Sequence, residues 1–328
     1  MSSKITFLFS GQGSQYYQMG RELYMKLPVF KANVDLLDRV FKSRTGYSLI
    51  EVLYDTNMSP ADRFDELRYS HPALFVIQYA LAQSLMEDGV RPSRLIGLSL
   101  GECVSMAVGG VVSPEDMLDT LIKQANLIER ECSDGGMIAV LKGVDYFYSH
   151  PDVFSGCELA AVNMPQLICI SAKQAALDIA EKKLKDGNVV YERLPLRQPF
   201  HSAHLEPLRE RFISIFSGLK FKESTTEIVS AMSATNNDNY NALHMWRVKR
   251  NPILFYQTMQ GLIPDRDMTY VDVGPSGSLA NFVKYSLPRE AYHSIFSIMS
   301  PMGRSVSNYE TCINSLNPSM TFKGVAKC

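Results

Sequence analysis

The chain has 328 residues, 46% of them apolar and 20% charged, an ordinary globular composition with material for a sizeable core. Its 33 basic residues are balanced by 34 acidic ones, a formal net charge of -1, which supplies no field for holding nucleic acid. No apolar run reaches membrane-spanning length, and the N-terminus follows a short strand pattern rather than the charged-then-apolar layout of a signal peptide, so a soluble, cytoplasmic protein without a membrane partner is expected.

Ile5 to Phe9 is an apolar run that ends in Gly11-Gln12-Gly13-Ser14-Gln15, a buried strand opening into a polar, glycine-rich loop. Ligands bind at such strand ends in open parallel sheets. From Pro72 a long run without a breaker predicts a buried helix, with proline in its first turn. Leu95-Ile96, then Gly97-Leu98-Ser99-Leu100-Gly101, then Glu102 to Ala107 read as strand, tight turn and helix.

Ser113-Pro114-Glu115-Asp116 supplies an N-cap, a first-turn proline and early acids for the next helix. On it Met117, Leu121, Gln124 and Ile128 share one stripe, which places polar Gln124 on the inward face, where it needs a partner.

Between about 136 and 195 the pattern becomes strand Met137 to Leu141, a short helix, strands Leu159 to Val162 and Leu167 to Ser171, helix Gln174 to Lys185, and strand Val189 to Leu194. This β-α-β-β-α-β order is ferredoxin-like, with Gly187 expected as the residue closing its second helix. The expected fold is therefore α/β, a large hydrolase-like subdomain with a parallel sheet (1–134 and 196–300), an inserted ferredoxin-like subdomain (135–195) and a C-terminal tail (301–328). Cys103, Cys132, Cys157, Cys169, Cys312 and Cys328 are scattered, without metal-ligand spacing, so reduced thiols and no metal are expected.

G-x-S-x-G between a strand and a helix is the nucleophile elbow, in which glycines permit a crowded turn that presents the Ser99 hydroxyl, and the Leu100 N–H can stabilise an oxyanion. The alternative is a glycine-flanked turn without chemistry. A serine needs a base, and His71, His150, His201, His204, His244 and His293 compete for that role. His201 stands out because Gln198-Pro199-Phe200-His201-Ser202 falls where the chain leaves the inserted unit and can fold over the elbow. No aspartate between Ser99 and His201 suggests itself as a third member.

Phe-Ser-Gly-Gln-Gly-Ser-Gln at 9 to 15, Gly97 to Glu102, Phe200-His201-Ser202, Asn251-Pro252 and Asp272-Val273-Gly274-Pro275 occur in order across most of the chain. Together they resemble the malonyl-CoA:acyl carrier protein transacylase family. The resemblance implies that Ser99 forms an acyl-enzyme with His201 as general base and acid, and that Gln12 and Leu100 form the oxyanion hole. It also implies that the Asn251 backbone carbonyl orients the imidazole in place of a carboxylate, and that no cofactor is used.

Two departures bear on specificity. The family's histidine before the nucleophile is Leu98 here, either a less polar pocket wall or neutral variation. The arginine that pairs with the malonyl carboxylate in malonyl-selective relatives is Gln124, which predicts poor malonyl binding unless an arginine elsewhere compensates. Phe200 and Asn163 are further acyl-specificity candidates by resemblance.

Gly-Leu-Ser-Leu-Gly combined with glutamine for arginine resembles the acyl hydrolases of trans-acyltransferase polyketide pathways, which clear stalled acyl groups from carrier proteins. The expected partners are acyl carrier proteins bearing phosphopantetheine-bound acyl groups, or acyl-CoA. The alternatives are an acyltransferase from CoA to carrier and a non-catalytic carrier-docking scaffold. Arg247, Lys249 and Arg250 are candidates for docking the carrier or its phosphate arm, against a solvated basic face.

Overall fold

A computed structural model describes residues 4–132, 134–233, 235–236, 239–265 and 267–317. Its strands in chain order are β1 (Ile5–Phe9), β2 (Arg94–Gly97), β3 (Gly136–Val140), β4 (Glu158–Met164), β5 (Leu167–Ala172), β6 (Tyr191–Arg193), β7 (Glu227–Ser230), β8 (Thr235–Asn236), β9 (Met268–Asp272) and β10 (Tyr292–Ser297). They form a six-stranded sheet of order β10-β9-β1-β2-β7-β8 and a four-stranded sheet of order β4-β5-β3-β6.

In the large sheet every pairing is parallel except β7 with β8. Phe7, Leu8, Phe9, Leu95 and Ile96 are buried because both faces of this sheet are covered, which is why β1 and β2 read as unbroken apolar runs. The small sheet is wholly antiparallel, and its Ile138, Val140, Ile168 and Ile170 pack against Leu177, Ala180 and Leu184 of helix Gln174–Asp186. The protein is thus an α/β fold with a ferredoxin-like insertion. Backbone bonds from Val162 N to the Ile253 carbonyl and from Ile253 N to the Ala160 carbonyl stitch β4 to the segment after Asn251.

Three local expectations need correction. The long helix starts five residues before Pro72, at Leu67, and runs to Glu87 with the proline inside it. The Glu129 carboxylate accepts from Leu67 N, so a neighbouring helix provides the cap that the local sequence lacks. Gly187 has a φ of -81°, and it is the following Asn188, at φ 52°, that adopts the left-handed conformation. The last strand of the insertion is shortened to Tyr191–Arg193.

The segment expected as a tail carries helix Ser305–Leu316, which buries Tyr309, Cys312 and Ile313. Tyr309 donates to Asp88 across the domain at 2.7 Å. Positions 318–328, with Cys328, lie outside the described residues. No helix among the described residues is long and apolar enough to cross a membrane.

Candidate active site

The turn after β2 is built by close approach. A Cβ on Gly101 would stand 2.0 Å from the Phe9 carbonyl oxygen, so only glycine lets the following helix, Leu100–Val108, pack onto β1. Within this turn Ser99 has φ 52° and ψ -111°, a strained conformation that lifts its side chain over the C-terminal edge of the sheet. A Cβ on Gly11 would lie 2.7 Å from the Leu98 carbonyl, so the loop after β1 also sits against the elbow.

That loop is held from helix Leu67–Glu87. Gln78 accepts from Ser10 N at 2.7 Å and donates to the Ser10 carbonyl at 3.0 Å, while Gln12 Nε2 donates to Ser70 Oγ at 3.0 Å. Gln12 Oε1 is buried without a hydrogen-bond partner. Neither the Gln12 N–H nor the Leu100 N–H, the first of its helix, donates to another backbone carbonyl. Gln12 lines the same cleft as Ser99, and Leu100 follows Ser99 in the chain.

Of the six histidines, His201 reaches the serine, with its Nε2 3.0 Å from Ser99 Oγ. Its Nδ1 lies 2.8 Å from the Asn251 carbonyl oxygen. A carbonyl only accepts, so Nδ1 carries the proton and Nε2 is left as the acceptor for the serine hydroxyl. Burial, reinforced by the Lys249 charge and opposed by the Asn251 bond, pushes the imidazole pKa down to about 3, which keeps it a neutral base. Among the described residues no carboxylate contacts this imidazole, and the backbone carbonyl takes the orienting position.

Ser99, His201, Gln12, Leu98, Phe200 and Asn163 all line one cleft of about 390 Å³ between the two sheets. Asn163 donates to Cys169 Sγ at 3.6 Å, and its Oδ1 is without a partner. Asp272 holds the far wall: its carboxylate accepts from Gly274 N and Ala280 N at 2.8 and 2.9 Å, fixing the turn that brings Ser276 and Ser278 to the cleft. Burial pushes the Asp272 pKa up to about 7.

Gln124 is buried, as its place on the stripe predicts, but it stands behind the cleft wall, with Nε2 3.5 Å from His71 Nδ1. His71 was no more than one of six histidines in the sequence. The structure shows it fully buried against Phe200, ring centroids 5.8 Å apart.

The basic run Arg247–Arg250 divides. Arg247 is exposed, and Arg250 is paired with Glu206 at 2.8 Å and Glu158 at 3.6 Å. Lys249 is not a surface docking residue, because it points inward from helix Ala242–Arg250 with its ammonium 4.8 Å from the centre of the Phe200 ring. The signal was available: Met245 and Lys249 are i and i+4 on a buried face, the same spacing that placed Gln124.

Glu102, next to the elbow, is buried with His244 Nε2 at 2.5 Å and Ser230 Oγ at 2.9 Å. These contacts tie helix Leu100–Val108 to β7 and to helix Ala242–Arg250.

The sequence matches the acyl transferase domain family over residues 6–316. It is 34% identical over 316 residues to the polyketide biosynthesis acyltransferase homolog BaeD of Bacillus velezensis, covering 96% of this chain and 98% of that one. It is 32% identical over 311 residues to the homolog PksD of Bacillus subtilis, covering 95% and 96%. Among solved structures, the acyl transferase domain of SpnD in complex with 2-(pent-4-yn-1-yl)malonyl superposes with a TM-score of 0.87 at 26% identity, over 97% of this chain and 78% of that one. The MCAT of Streptococcus pneumoniae does so with a TM-score of 0.79 at 25% identity, over 95% and 100%. With its elbow serine, neutral histidine and two-sheet cleft, and with a match spanning nearly its whole length, the chain belongs to the acyl transferase domain family.

Proposed function

We propose that the protein is a trans-acting acyl hydrolase that removes stalled short acyl groups, acetyl-like rather than malonyl, from phosphopantetheine thioesters of acyl carrier proteins in polyketide biosynthesis. The observation that carries the proposal is the 3.0 Å contact of His201 Nε2 with Ser99 Oγ, in a cleft that Gln12 also lines. The names of the Bacillus relatives, polyketide biosynthesis acyltransferase homologs, support the pathway.

In the first half-reaction Ser99 Oγ attacks the thioester carbonyl carbon as its proton passes to His201 Nε2. The oxyanion forms against the Leu100 and Gln12 N–H groups, and the resulting imidazolium is held through Nδ1 by the Asn251 carbonyl. Collapse breaks the carbon–sulfur bond, and the Nε2 proton goes to the departing thiolate. In the second half-reaction Nε2 takes a proton from water, whose oxygen attacks the acyl carbon; collapse breaks the acyl–Oγ bond, the Nε2 proton passes to Ser99 Oγ, and the acid leaves.

Exclusion of malonyl rests on Gln124. A neutral amide offers no bidentate, charge-assisted pair, and a carboxylate drawn from water without one costs several kcal/mol. A transferase differs only in that a carrier thiol replaces water, and the relatives' names favour it as the second reading.

Intact-mass analysis of carriers loaded with acetyl, butyryl or malonyl, with and without an unloaded acceptor carrier, tests the assignment. Loss of acetyl or butyryl without an acceptor, absent in Ser99→Ala, supports the hydrolase. Acyl appearing on the acceptor instead makes the protein a transferase, and carrier binding without either reaction makes it a scaffold.

A further inference from the structure

Behind Phe200, His71 Nε2 is buried without a partner, and Lys249 lies beside the same ring. Lys249 is 5% exposed, and its ammonium has neither a hydrogen bond nor an ion pair among the described residues, with the Phe200 ring as its contact. The titratable groups that feel its charge are His71 on helix Leu67–Glu87, Cys103 on helix Leu100–Val108, and His201. None is an anion at neutral pH: burial pushes the Cys103 thiol up to about 12, and burial holds both imidazoles neutral.

His71 presents a second unused donor. Gln124 Nε2 can only donate, so His71 Nδ1 accepts and Nε2 carries the proton. That Nε2 is buried without a partner. The Lys249 ammonium and the His71 ring therefore pack on the same aromatic ring from two helices, and that ring is part of the cleft wall beside Ser99 and His201.

Packing alone does not account for this. A leucine or methionine at 249 would fill the space without the desolvation of a charge, and replacing buried ionic groups by apolar ones is often neutral or stabilising. A buried N–H without a partner, beside an ammonium that no carboxylate pairs with, next to the cleft wall, leaves room for an acceptor brought by the ligand.

We propose that Lys249 and His71 form a subsite behind Phe200 that takes an oxygen on the acyl chain, such as a β-hydroxyl or β-keto oxygen, reached when the Phe200 ring turns aside. Oxygenated acyl groups are then preferred over plain ones of equal length. The two donors lie on separate elements and form no planar fork, so the site suits a single oxygen better than a guanidinium would. The inference deepens the acyl-enzyme reading and rests on Ser99 acylation, which hydrolase and transferase share.

The test is the rate of Ser99 acylation, read by intact mass, from pantetheine thioesters of butyrate, 3-hydroxybutyrate, acetoacetate and malonate, on wild type, Lys249→Met and Lys249→Arg. The expected result is that 3-hydroxybutyryl and acetoacetyl acylate wild type about tenfold faster than butyryl, the worth of one hydrogen bond to a charged group. Lys249→Met abolishes the preference and Lys249→Arg restores part of it. No preference in wild type, or the same preference in Lys249→Met, overturns the subsite.

A Lys249-dependent preference for malonyl supports the subsite while overturning the exclusion of malonyl proposed above. If no thioester acylates Ser99, the proposed function fails. The subsite is then read from equilibrium binding of the butyryl and 3-hydroxybutyryl amides of pantetheine to Ser99→Ala, and equal affinities overturn it.

Discussion

His201 Nε2 meets Ser99 Oγ at 3.0 Å across 102 residues of sequence, and both residues hold left-handed backbone, φ 58° and 52°. Each is a non-glycine residue in a conformation that costs about 1–3 kcal/mol. The strain at Ser99 is fixed by the elbow. That at His201 is fixed by its own N–H, which donates to the Lys249 carbonyl at 3.2 Å, and by its ring, held at Asn251.

Relieving that strain separates stability from activity. Ser99→Gly and Ser99→Ala both lose acyl-enzyme formation, and Ser99→Gly is the more stable by about 1 kcal/mol because glycine adopts the elbow conformation freely. Urea denaturation of the two variants measures the difference, and equal midpoints would show that the backbone at 99 is not strained.

The pH dependence follows from the buried imidazole. Because the His201 pKa is pushed down to about 3, the base is neutral throughout the usual assay range. Ser99 acylation is therefore expected to show no acid limb near 6.5, the ordinary histidine range. The folded value lies below the unfolded one, so the contribution of His201 to stability is present above about 6.5 and is lost as pH falls from there towards 3. Denaturation of wild type and His201→Asn at pH 7 and pH 4 reads this directly, the variant losing less stability on acidification.

Lys249 gives the same sign in a higher pH window. Burial lowers its pKa from 10.5 to about 8, so the unfolded chain holds more protons between those values and stability rises with pH across them. Lys249→Met is expected to be more stable than wild type at pH 7 by about 3 kcal/mol, the worth of that shift. By pH 10.5 the advantage is gone. An advantage independent of pH would mean that packing, not charge, distinguishes the two side chains.

At position 124, Gln124→Arg is expected to raise malonyl over acetyl acylation by about tenfold, since an added guanidinium supplies the missing pair. It also lowers the thermal midpoint, because a larger, charged side chain enters a site packed on His71 and near Lys249. Adding Lys249→Met recovers part of that loss. An unchanged malonyl-to-acetyl ratio would remove residue 124 from acyl selection.

Glu102→Ala is expected to destabilise the protein by about 3 kcal/mol, as it deprives buried His244 and Ser230 of their shared carboxylate. Thermal denaturation measures it, and a loss below about 1 kcal/mol would show that water replaces the carboxylate.

The local sequence determined whatever depends on steric and periodic rules. Gly97-Leu98-Ser99-Leu100-Gly101 between a strand and a helix dictates the elbow, because no other residue type tolerates the approach to Phe9 at Gly101. The helical stripe put Gln124 inside, and the alternation of strand and helix signals between about 136 and 195 gave the inserted sheet its order. Where a neighbour supplies what the local sequence lacks, local signals misled: Pro72 sits inside a helix capped by Glu129, and the tail helix is held by Tyr309 on Asp88.

The loop position and the resemblance already point to His201 among six histidines; only the tertiary structure shows its reach to Ser99, which depends on the loop that leaves the small sheet and on the Asn251 carbonyl stitched beside β4. The i, i+4 spacing from Met245 marks Lys249 as buried, but only the packed fold brings it to His71 and Gln124 around Phe200. The physical reason is range: steric and helical rules act over a few residues and are written in the chain. Burial and the pairing of buried donors are set by elements that are distant in sequence and meet only in the packed fold.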